Sequence, residues 1–522
     1  MENIDKPTET ASKIEENKSS SNTKRIAKNT IMLYFRQILI MLVSLYTVRV
    51  VLNVLGAEDY GIYNVVAGVV VLFSFVNNAM ATSTQRFINY SLGENNLTKV
   101  TQVYSVSLII HGLIAIVFLV LAETIGLWFV TCKLNIPPER HTAALWTYQF
   151  SIISTIFTIF RVPYNATIIA YERMSFFALL SIVEAICKLL VVFLISSLNF
   201  DKLAFYSFLL CIISALITLI FKLYCNVKIE TAKYTKVKDK ALVKELFAFS
   251  GWNLFGASAN VANQQGTNIV LNMFTNVTVN AAMGIANQVN AAVYSFVSNF
   301  QTAFNPQLVK SYAADEKENF MSLLFRSAKL SFFLLLIIVV PLYVNVDFVL
   351  LIWLKNVPQY SVEFVRLILI WSLIDALNGP LWMAASAKGN IRNYQIFVSI
   401  FIFLNLPLSI LLFVFGFSPV CVLYIRIAIN IFLTFWRLFY LKRHIGLNVK
   451  DFIIQVIIRC FIVCGISFLP MMIIAKYFES WKRFIITVPI SILLVVVFVC
   501  FLGLTRKERQ YVCSFILKDR KK

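Results

Sequence analysis

Charged side chains lie inside several long apolar stretches of this chain. Glu184 and Lys188 are four residues apart, so they share a helical face and can pair. Arg161, in the preceding stretch, lies just before Pro163. An ionisable group at the centre of a bilayer costs roughly 2.5–3.5 kcal/mol on insertion scales, so it usually faces protein or water. We therefore interpret Arg161 as the lining of a cavity. The Glu184–Lys188 pair is either part of that cavity or a self-neutralising structural pair.

Further cations lie in other apolar stretches. Arg36 and Arg49 are near opposite ends of the first stretch, where each could line a cavity or extend its charge to the membrane surface. Arg366 and Asp375 occupy opposite faces of one helix, so each needs a partner elsewhere, and Arg426 lies in a later stretch. Because cations outnumber anions inside these stretches, the sequence favours an anionic substrate.

Polar side chains, nearly all of them amides, recur at helical spacing in the seventh and eighth stretches, at Asn253, Asn260, Gln264, Asn268 and Asn272, and then at Asn280, Asn287, Tyr294 and Gln301. Amides offer donors and acceptors together, which suits sugar hydroxyls. The alternative is hydrogen bonding between helices, worth about 0.6 kcal/mol on average. We take Asn260, Gln264, Asn268 and Asn287 as candidate substrate-binding residues.

The elements that position these residues are membrane-spanning helices. Only 14% of the 522 residues are charged and 59% are hydrophobic, which is too little polar surface for a soluble protein. We expect about fourteen stretches long enough to span a bilayer. They lie near 31–55, 61–83, 104–130, 144–170, 176–198, 203–224, 247–273, 278–303, 325–346, 362–387, 392–416, 419–440, 453–475 and 483–505. The predicted fold class is therefore all-α and polytopic.

The distribution of Lys and Arg predicts the orientation. Most of the 47 basic residues fall in loops on one side, which places both termini in the cytoplasm. The net charge of +21 then reflects topology, and we expect no nucleic-acid partner.

Short segments recur at nearly one offset, which indicates an internal repeat. Val51-Leu52-Asn53 returns as Val270-Leu271-Asn272, Ser74-Phe75-Val76 returns as Ser295-Phe296-Val297, and Pro163 corresponds to Pro380. Six helices per repeat make the two lobes parallel, an arrangement typical of transporters that work by alternating access. The alternative is an old duplication without transport.

The repeat predicts the domain organisation. Two lobes of six helices occupy 29–224 and 247–441 and are joined by a basic amphipathic cytoplasmic linker at 225–246. Two appended helices occupy 442–505. A disordered tail at 1–28 and a basic tail at 506–522 are both expected in the cytoplasm.

The sequence contains no sign of an enzyme. It has no phosphate-binding glycine-rich loop, no room for a globular catalytic domain, three His and no CxxC pair. We therefore predict no catalytic residue, no metal site and no cofactor.

The N-terminal region resembles a known family. The run Arg49-Val50-Val51-Leu52-Asn53-Val54-Leu55-Gly56, then Asp59-Tyr60-Gly61-Ile62-Tyr63-Asn64-Val65-Val66, and later Gln85-Arg86-Phe87, are similar to bacterial polysaccharide exporters. These are the O-antigen flippases (Wzx type) of the multidrug/oligosaccharidyl-lipid/polysaccharide superfamily. The similarity is densest over residues 24–95.

The resemblance implies a monomeric flippase of the bacterial cytoplasmic membrane, with two six-helix lobes around a cationic cavity. Its substrate would be a polyprenyl-diphosphate-linked oligosaccharide, such as an O-antigen or capsule repeat unit, with membrane lipids around it and a proton or sodium ion as possible coupling ion. It assigns Arg36 and Arg49 as cations of the first helix and Arg86 to the inner mouth. The alternatives are a lipid II-type flippase or a drug/cation antiporter of the same superfamily. A membrane polysaccharide polymerase or ligase ranks last, because the chain lacks a long outer loop.

Overall fold

The computed structural model describes residues 29–44, 46–47, 50–51, 53–56, 59, 62–63, 66, 74–132, 136–196, 201–237, 239–275, 277–354, 357–505 and 508–509. Within these ranges the ordered elements are helices and contain no strand. Both predicted tails lie outside them, apart from residues 508 and 509. Arg49 is also outside, as are the side chains of Asn272 and Asn280.

The first six long helices are α1 (Asn29–Ser44), α2 (Ser74–Gly93), α3 (Leu97–Cys132), α4 (His141–Ala170), α5 (Met174–Ser196) and α6 (Lys202–Lys228). They are followed by α7 (Lys240–Phe274), α8 (Val277–Ala313), α9 (Lys317–Val344), α10 (Ser361–Lys388), α11 (Arg392–Val414), α12 (Cys421–Ile445), α13 (Val449–Ile474) and α14 (Ser480–Gly503). A short helix, Val346–Leu354, lies between the predicted spans at 325–346 and 362–387.

Ten of the helices in the described ranges are long and apolar enough to cross a membrane. They are α3 to α6 and α9 to α14, so the chain is an all-α, multi-pass membrane protein. The helices outside this set include α7 and α8, which contain the amide stripes. Both extend beyond the predicted spans at 247–273 and 278–303, because their polar ends continue as helix outside the apolar stretch.

Helix ends follow ordinary physical rules. Helix α12 ends at Gly446, which adopts a left-handed φ of 72° that favours glycine. Its last turn carries Lys442, Arg443 and His444, whose positive charge suits the negative end of the helix dipole. Inside α3, the Ala122 carbonyl at the start of a π-helical turn, Ala122–Gly126, accepts hydrogen bonds from the Leu127 amide and from the Tyr148 hydroxyl, the latter at 2.7 Å.

The chain divides into two compact units. The first unit contains residues up to Leu254 together with Thr302–Ala314, the end of α8. In it, α4 packs between α2, α3 and α6. Gly93 of α2 lies against α8, because a Cβ there would be 2.5 Å from the Lys310 carbonyl oxygen.

The second unit contains Phe255–Gln301 and the residues from Asp315 onward. Helix α10 packs between α9 and α12, and α14 packs against α9 and α13. The helices α13 and α14, expected as an appendage, are thus part of this unit. Helices α7 and α8 each contribute to both units, so the predicted lobe boundary at 247 stays a prediction.

The predicted linker at 225–246 is helical at both ends, within α6 and α7. Between them the chain packs against the first unit, where Ile229 and Ala232 are buried. The Thr231 hydroxyl is 2.6 Å from the Tyr171 hydroxyl, and the Thr235 amide donates to the Ser105 hydroxyl at 2.9 Å. These contacts fix where α7 begins.

Candidate functional site

Three charged side chains meet between α4 and α5 in the first unit. One Glu184 carboxylate oxygen accepts from Arg161 Nη1 and the other accepts from Lys188 Nζ, both at 2.8 Å. The side chains of Arg161 and Glu184 are 19% and 16% exposed, whereas that of Lys188 is 43% exposed. The predicted pair is thus a triad that retains one net positive charge, and we name Arg161, Glu184 and Lys188 the cationic triad.

The hydroxyl groups beside Arg161 are largely satisfied within their own helix. Ser151, Thr155 and Thr158 each donate to a carbonyl one turn earlier in α4, at 2.7, 2.9 and 3.1 Å. Such bonds are common for hydroxyl side chains in helices and leave the oxygen lone pairs available. The buried Asn165 Oδ1 has no hydrogen-bond partner among the described residues. Polar acceptors therefore line the helix face that carries Arg161.

Aromatic rings cover two other predicted arginines of the first unit. The Arg36 guanidinium lies 4.6 Å from the centre of the Phe177 ring. The Arg86 guanidinium is buried against Phe87, Tyr90 and Phe249, at 4.5, 4.8 and 5.3 Å from the ring centres. Attraction between a cation and an aromatic face strengthens when the pair is desolvated. Arg86 therefore holds α2 against the start of α7 and presents little charge to solvent.

The predicted amides divide between two faces of α7 in the second unit. Asn260 and Gln264 are exposed, and the Asn260 amide donates only to the Gly256 carbonyl of its own helix, at 3.0 Å. On another face, Asn263 Oδ1 accepts from Asn405 of α11 at 3.2 Å. One set of amides therefore joins helices, while the other remains accessible. Asn268 and Asn287 are half-buried.

A second charged cluster lies in the second unit. The Arg426 guanidinium stacks 4.0 Å from the Trp371 ring centre and is attracted by Asp375. Asp375 also forms a side-chain hydrogen bond with Tyr294 of α8. Arg366 lies elsewhere on α10, with its guanidinium 5.7 Å from the Tyr343 ring centre. Among the described contacts, Asp375 therefore interacts with Arg426, and Arg366 lies against Tyr343 instead.

Sequence reasoning missed Arg437, which belongs to this cluster. Its Nε donates to the Tyr394 hydroxyl at 2.8 Å, and the residue is only 8% exposed. Arg437 follows Arg426 by about three helical turns, so the two share a face of α12. That spacing was a usable signal.

Sequence reasoning also missed an ion cluster in the loops of the first unit. Arg140 binds both Asp59 and Asp201, the latter at 2.7 Å. These residues are far apart in sequence and share no helix. Only the folded chain could bring them together.

Comparison with known proteins decides the family. A family model described as "Polysaccharide biosynthesis protein" matches residues 26–311, more than half of the chain. The chain belongs to the polysaccharide biosynthesis protein family. This confirms the resemblance noted at the N-terminal run. No curated protein matches the chain by sequence.

Solved structures similar to this polysaccharide biosynthesis protein include MATE transporters and another transporter of the MOP superfamily. A MATE crystal structure in complex with MaD3S has a TM-score of 0.69 at 13% identity, covering 82% of this chain and 97% of that one. An outward-facing multidrug resistance MATE transporter of the MOP superfamily has a TM-score of 0.67 at 12% identity, with the same coverage. A MOP superfamily transporter from Pyrococcus furiosus, described as having a binding pocket of reverse polarity, has a TM-score of 0.65 at 11% identity and covers 82% and 96%. The polysaccharide biosynthesis protein therefore has the fold of these transporters.

The family match covers one part of the predicted site. The cationic triad, Arg36, Arg86 and the amides of α7 and α8 fall within residues 26–311. Arg366 and Arg426 lie beyond that range. The candidates within the matched range are therefore the first to test.

Proposed function

We propose that this protein is a flippase that moves a lipid-diphosphate-linked oligosaccharide, such as an O-antigen or capsule repeat unit, across the bacterial cytoplasmic membrane by alternating access. The family and the transporter fold support a transport role in polysaccharide biosynthesis. The substrate class and the membrane follow from the family resemblance of the N-terminal run, and the charged and amide side chains support the substrate class.

The cationic triad carries the proposal. A carboxylate held between two cations is already neutralised, so it offers a cationic drug no free negative charge. The triad instead leaves one positive charge, and Lys188 is its most exposed member. A diphosphate binds such a site through its charge, and an arginine can add a bidentate grip.

The exposed amides of α7 would bind the sugar part of the substrate. Asn260 and Gln264 are exposed although they lie in a stretch with few charges. An amide that faced only hydrocarbon would lose hydrogen bonds that it makes in water. Sugar hydroxyls would use both the donor and the acceptor of each amide.

The main alternative is a drug/cation antiporter, which would need a carboxylate available to bind a cation. Glu184 and Asp375 do not meet that requirement. Glu184 is paired with two cations, and Asp375 attracts Arg426 while it is hydrogen-bonded to Tyr294. Neither carboxylate is free for a drug cation in the part of the chain that the structure describes. The pairing of these two carboxylates with cations also favours a non-enzymatic role, because neither is available as a general base.

The test is transport by purified protein in proteoliposomes. The probe is a polyprenyl diphosphate that carries a disaccharide, and an impermeant glycosidase added outside reads which leaflet holds it. We expect the whole pool to become cleavable with the protein present and about half without it. Ethidium uptake measured in parallel tests the antiporter. Ethidium transport without movement of the glycolipid would overturn the proposal.

The orientation has its own test. A cysteine placed in the 222–244 loop should be protected from an impermeant thiol reagent in intact cells, and one placed at 57–59 should be labelled. The opposite pattern would refute the inside location of both termini, and with it the repeat argument.

A further inference from the structure

The first unit contains an apolar groove that no residue of the proposed site explains. It has a volume of about 550 Å³ and is lined by α2, α3, α4 and the start of α7. Its floor is formed by buried residues such as Ile110, Phe118 and Ile159. Val117 of α3 and Phe247 of α7, which are 57% and 60% exposed, form its two edges. We name this feature the α3–α7 groove. It is open between those edges.

The lining of the groove suits a hydrocarbon chain. Its polar side chains are Thr155 and Ser250, and the Thr155 hydroxyl is satisfied by the Ser151 carbonyl at 2.9 Å. Ser250 is 3% exposed and its hydroxyl has no hydrogen-bond partner within the described ranges. A polar ligand would need several partners, whereas this surface offers almost none. A drug-sized pocket has a volume of roughly 300–1,000 Å³, so the groove can hold part of a long chain.

One end of the groove continues into a basic surface. Phe247 also lines a second cavity, of about 420 Å³, which contains Lys240 and Lys244 at the start of α7. Both lysines are exposed. The neighbouring Asp239 is occupied as a helix cap, because its Oδ1 accepts from the amides of Ala241 and Leu242 at 2.9 and 3.0 Å. The continuous surface is therefore cationic at one end and apolar at the other.

The remaining carboxylate of this turn also has a partner. Glu245 attracts the buried guanidinium of Arg86. Arg86 in turn packs against Phe249, which fixes the turn of α7 that holds Ser250 and Gly251 along the groove. The two lysines thus remain the cations accessible to a ligand at this end.

We propose that the α3–α7 groove binds the tail of the polyprenyl diphosphate substrate as it enters from the membrane surface, with Lys240 and Lys244 attracting the diphosphate before it reaches the cationic triad. This inference rests on the proposed function and assigns a place to the lipid half of the substrate. Membrane lipid is as apolar as the groove, so burying the tail there contributes little affinity. The groove instead orients the tail and thereby holds the diphosphate at the membrane surface, while the lysines supply attraction.

Gly251 allows the groove to be filled without disturbing the fold. A Cβ built there meets no atom within 4 Å, so Gly251→Leu projects into open space along the groove. The matched control is Gly465→Leu on α13, where a Cβ also meets no atom within 4 Å. Val117→Trp, at the opposite edge, is a second variant that fills the groove from another helix.

The experiment uses a polyprenyl diphosphate with a benzophenone in its tail, photo-crosslinked to the full chain in proteoliposomes. We expect labelling of peptides 110–121 and 247–254. Gly251→Leu and Val117→Trp should each lower it at least tenfold, and Gly465→Leu should leave it unchanged. The double variant Lys240→Gln, Lys244→Gln should also lower the labelling severalfold, and the difference from the unmodified protein should be larger at low salt.

The outcomes separate the groove from the proposed function. If the probe labels other peptides, and neither groove variant reduces that labelling, the tail does not bind in the groove. The flippase proposal would not be affected by this result. If the diphosphate probe labels the protein no more than a neutral polyprenol probe does, and the glycolipid is not transported, both the groove proposal and the flippase proposal are wrong. A photoreactive phosphatidylglycerol that labels the groove and resists excess polyprenyl diphosphate would make it a phospholipid site and refute the inference.

Discussion

The two units treat polar groups inside the membrane-spanning helices differently. In the first unit, Arg161 and Glu184 join α4 and α5 as an ion pair that Lys188 completes. In the second unit, Asn378 of α10 donates to Asn430 of α12 at 2.9 Å and accepts from Thr434 at 3.0 Å. An ion cluster with an odd number of charges retains a net charge, whereas an amide network is neutral. The second unit also contains the Arg426–Asp375 cluster, but there the Arg426 guanidinium is stacked on Trp371, whereas Lys188 of the cationic triad is 43% exposed. Within the proposed function, we therefore assign charge selection to the first unit and hydrogen-bond recognition to the second.

Close packing around an amide side chain is also a feature of the second unit. In the second unit, Gln301 of α8 donates to the Ser331 hydroxyl and the Ala376 carbonyl, both at 3.3 Å. Its amide lies so close to α10 that a Cβ at Gly379 would be 2.4 Å from it. Small residues let polar side chains approach a neighbouring backbone in membrane proteins. The second unit therefore depends on close amide contacts, and the first depends more on charge.

The largest effect should come from Arg161→Ala. It removes the net charge of the cationic triad, so glycolipid transport should fall at least tenfold, equivalent to about 1.4 kcal/mol. Arg161→Lys should retain part of the activity, because charge survives but the bidentate fork does not. The proteoliposome assay above measures both variants at matched protein levels.

A double variant separates a functional triad from a structural one. Glu184→Gln with Lys188→Gln removes one charge of each sign and keeps Arg161. Normal transport by this variant would make the pair structural and remove Lys188 from the site. Unchanged transport by Arg161→Ala, and by Ala at Arg36 and Arg49, would refute the cationic mechanism.

Gly379→Ala should destabilise the second unit next most strongly. The added Cβ displaces Gln301 from its two hydrogen bonds, which should lower the free energy of unfolding by about 1–3 kcal/mol. Thermal unfolding in detergent measures the change. Gly284→Ala on α8 is the control, since a Cβ there meets no atom within 4 Å. It should be neutral or stabilising by up to about 1 kcal/mol. Equal effects at the two positions would contradict the close-contact explanation.

The amides of α7 should separate function from stability. Asn260→Ala with Gln264→Ala removes two exposed amides, so transport should fall severalfold while the melting temperature is unchanged. Asn263→Ala removes the partner of Asn405 and should cost about 0.6 kcal/mol of stability with little effect on transport. If the first variant lowered stability and spared transport, both sets of amides would be structural.

The smallest effect concerns the end of α14. Burial alone raises the pKa of the Glu508 carboxyl, but hydrogen bonds from Lys329 and Thr505 outweigh it and hold the pKa below its ordinary value. The pair joins α9 to the chain beyond α14, at 2.6 and 2.8 Å, and Lys329 is 2% exposed. Its contribution to stability is complete above the ordinary glutamate pKa of about 4.3 and is lost as the pH falls through the lowered value.

Melting temperatures measured from pH 7 down to pH 3 test this linkage. The unmodified protein should lose more stability below about pH 4 than Glu508→Gln does, since the variant has no proton to bind there. Glu508→Gln should be less stable at pH 7, because Lys329 keeps its charge with a weaker partner. If the melting temperatures of the two proteins fall in parallel as the pH is lowered, another carboxyl group controls the loss of stability in acid.

The sequence by itself determined the class, the family and the local pairs of this protein. Long apolar stretches must be helices in a membrane, because a helix satisfies its own backbone hydrogen bonds there. The four-residue spacing of Glu184 and Lys188 was enough to predict their contact, which the structure confirms. The N-terminal run was enough to indicate the polysaccharide biosynthesis family.

Tertiary structure decided what each helix face meets. Helical periodicity places Asn260 and Gln264 on one face of α7 and Asn263 on another, but it does not say which face packs against α11. Arg161 of α4 binds Glu184 of α5, and Phe249 of α7 packs against Arg86 of α2. Within the bilayer every candidate face is surrounded by similar apolar surface, so hydrophobicity does not select a partner. Shape and polar contacts between helices make that selection, and they exist only once the chain has folded.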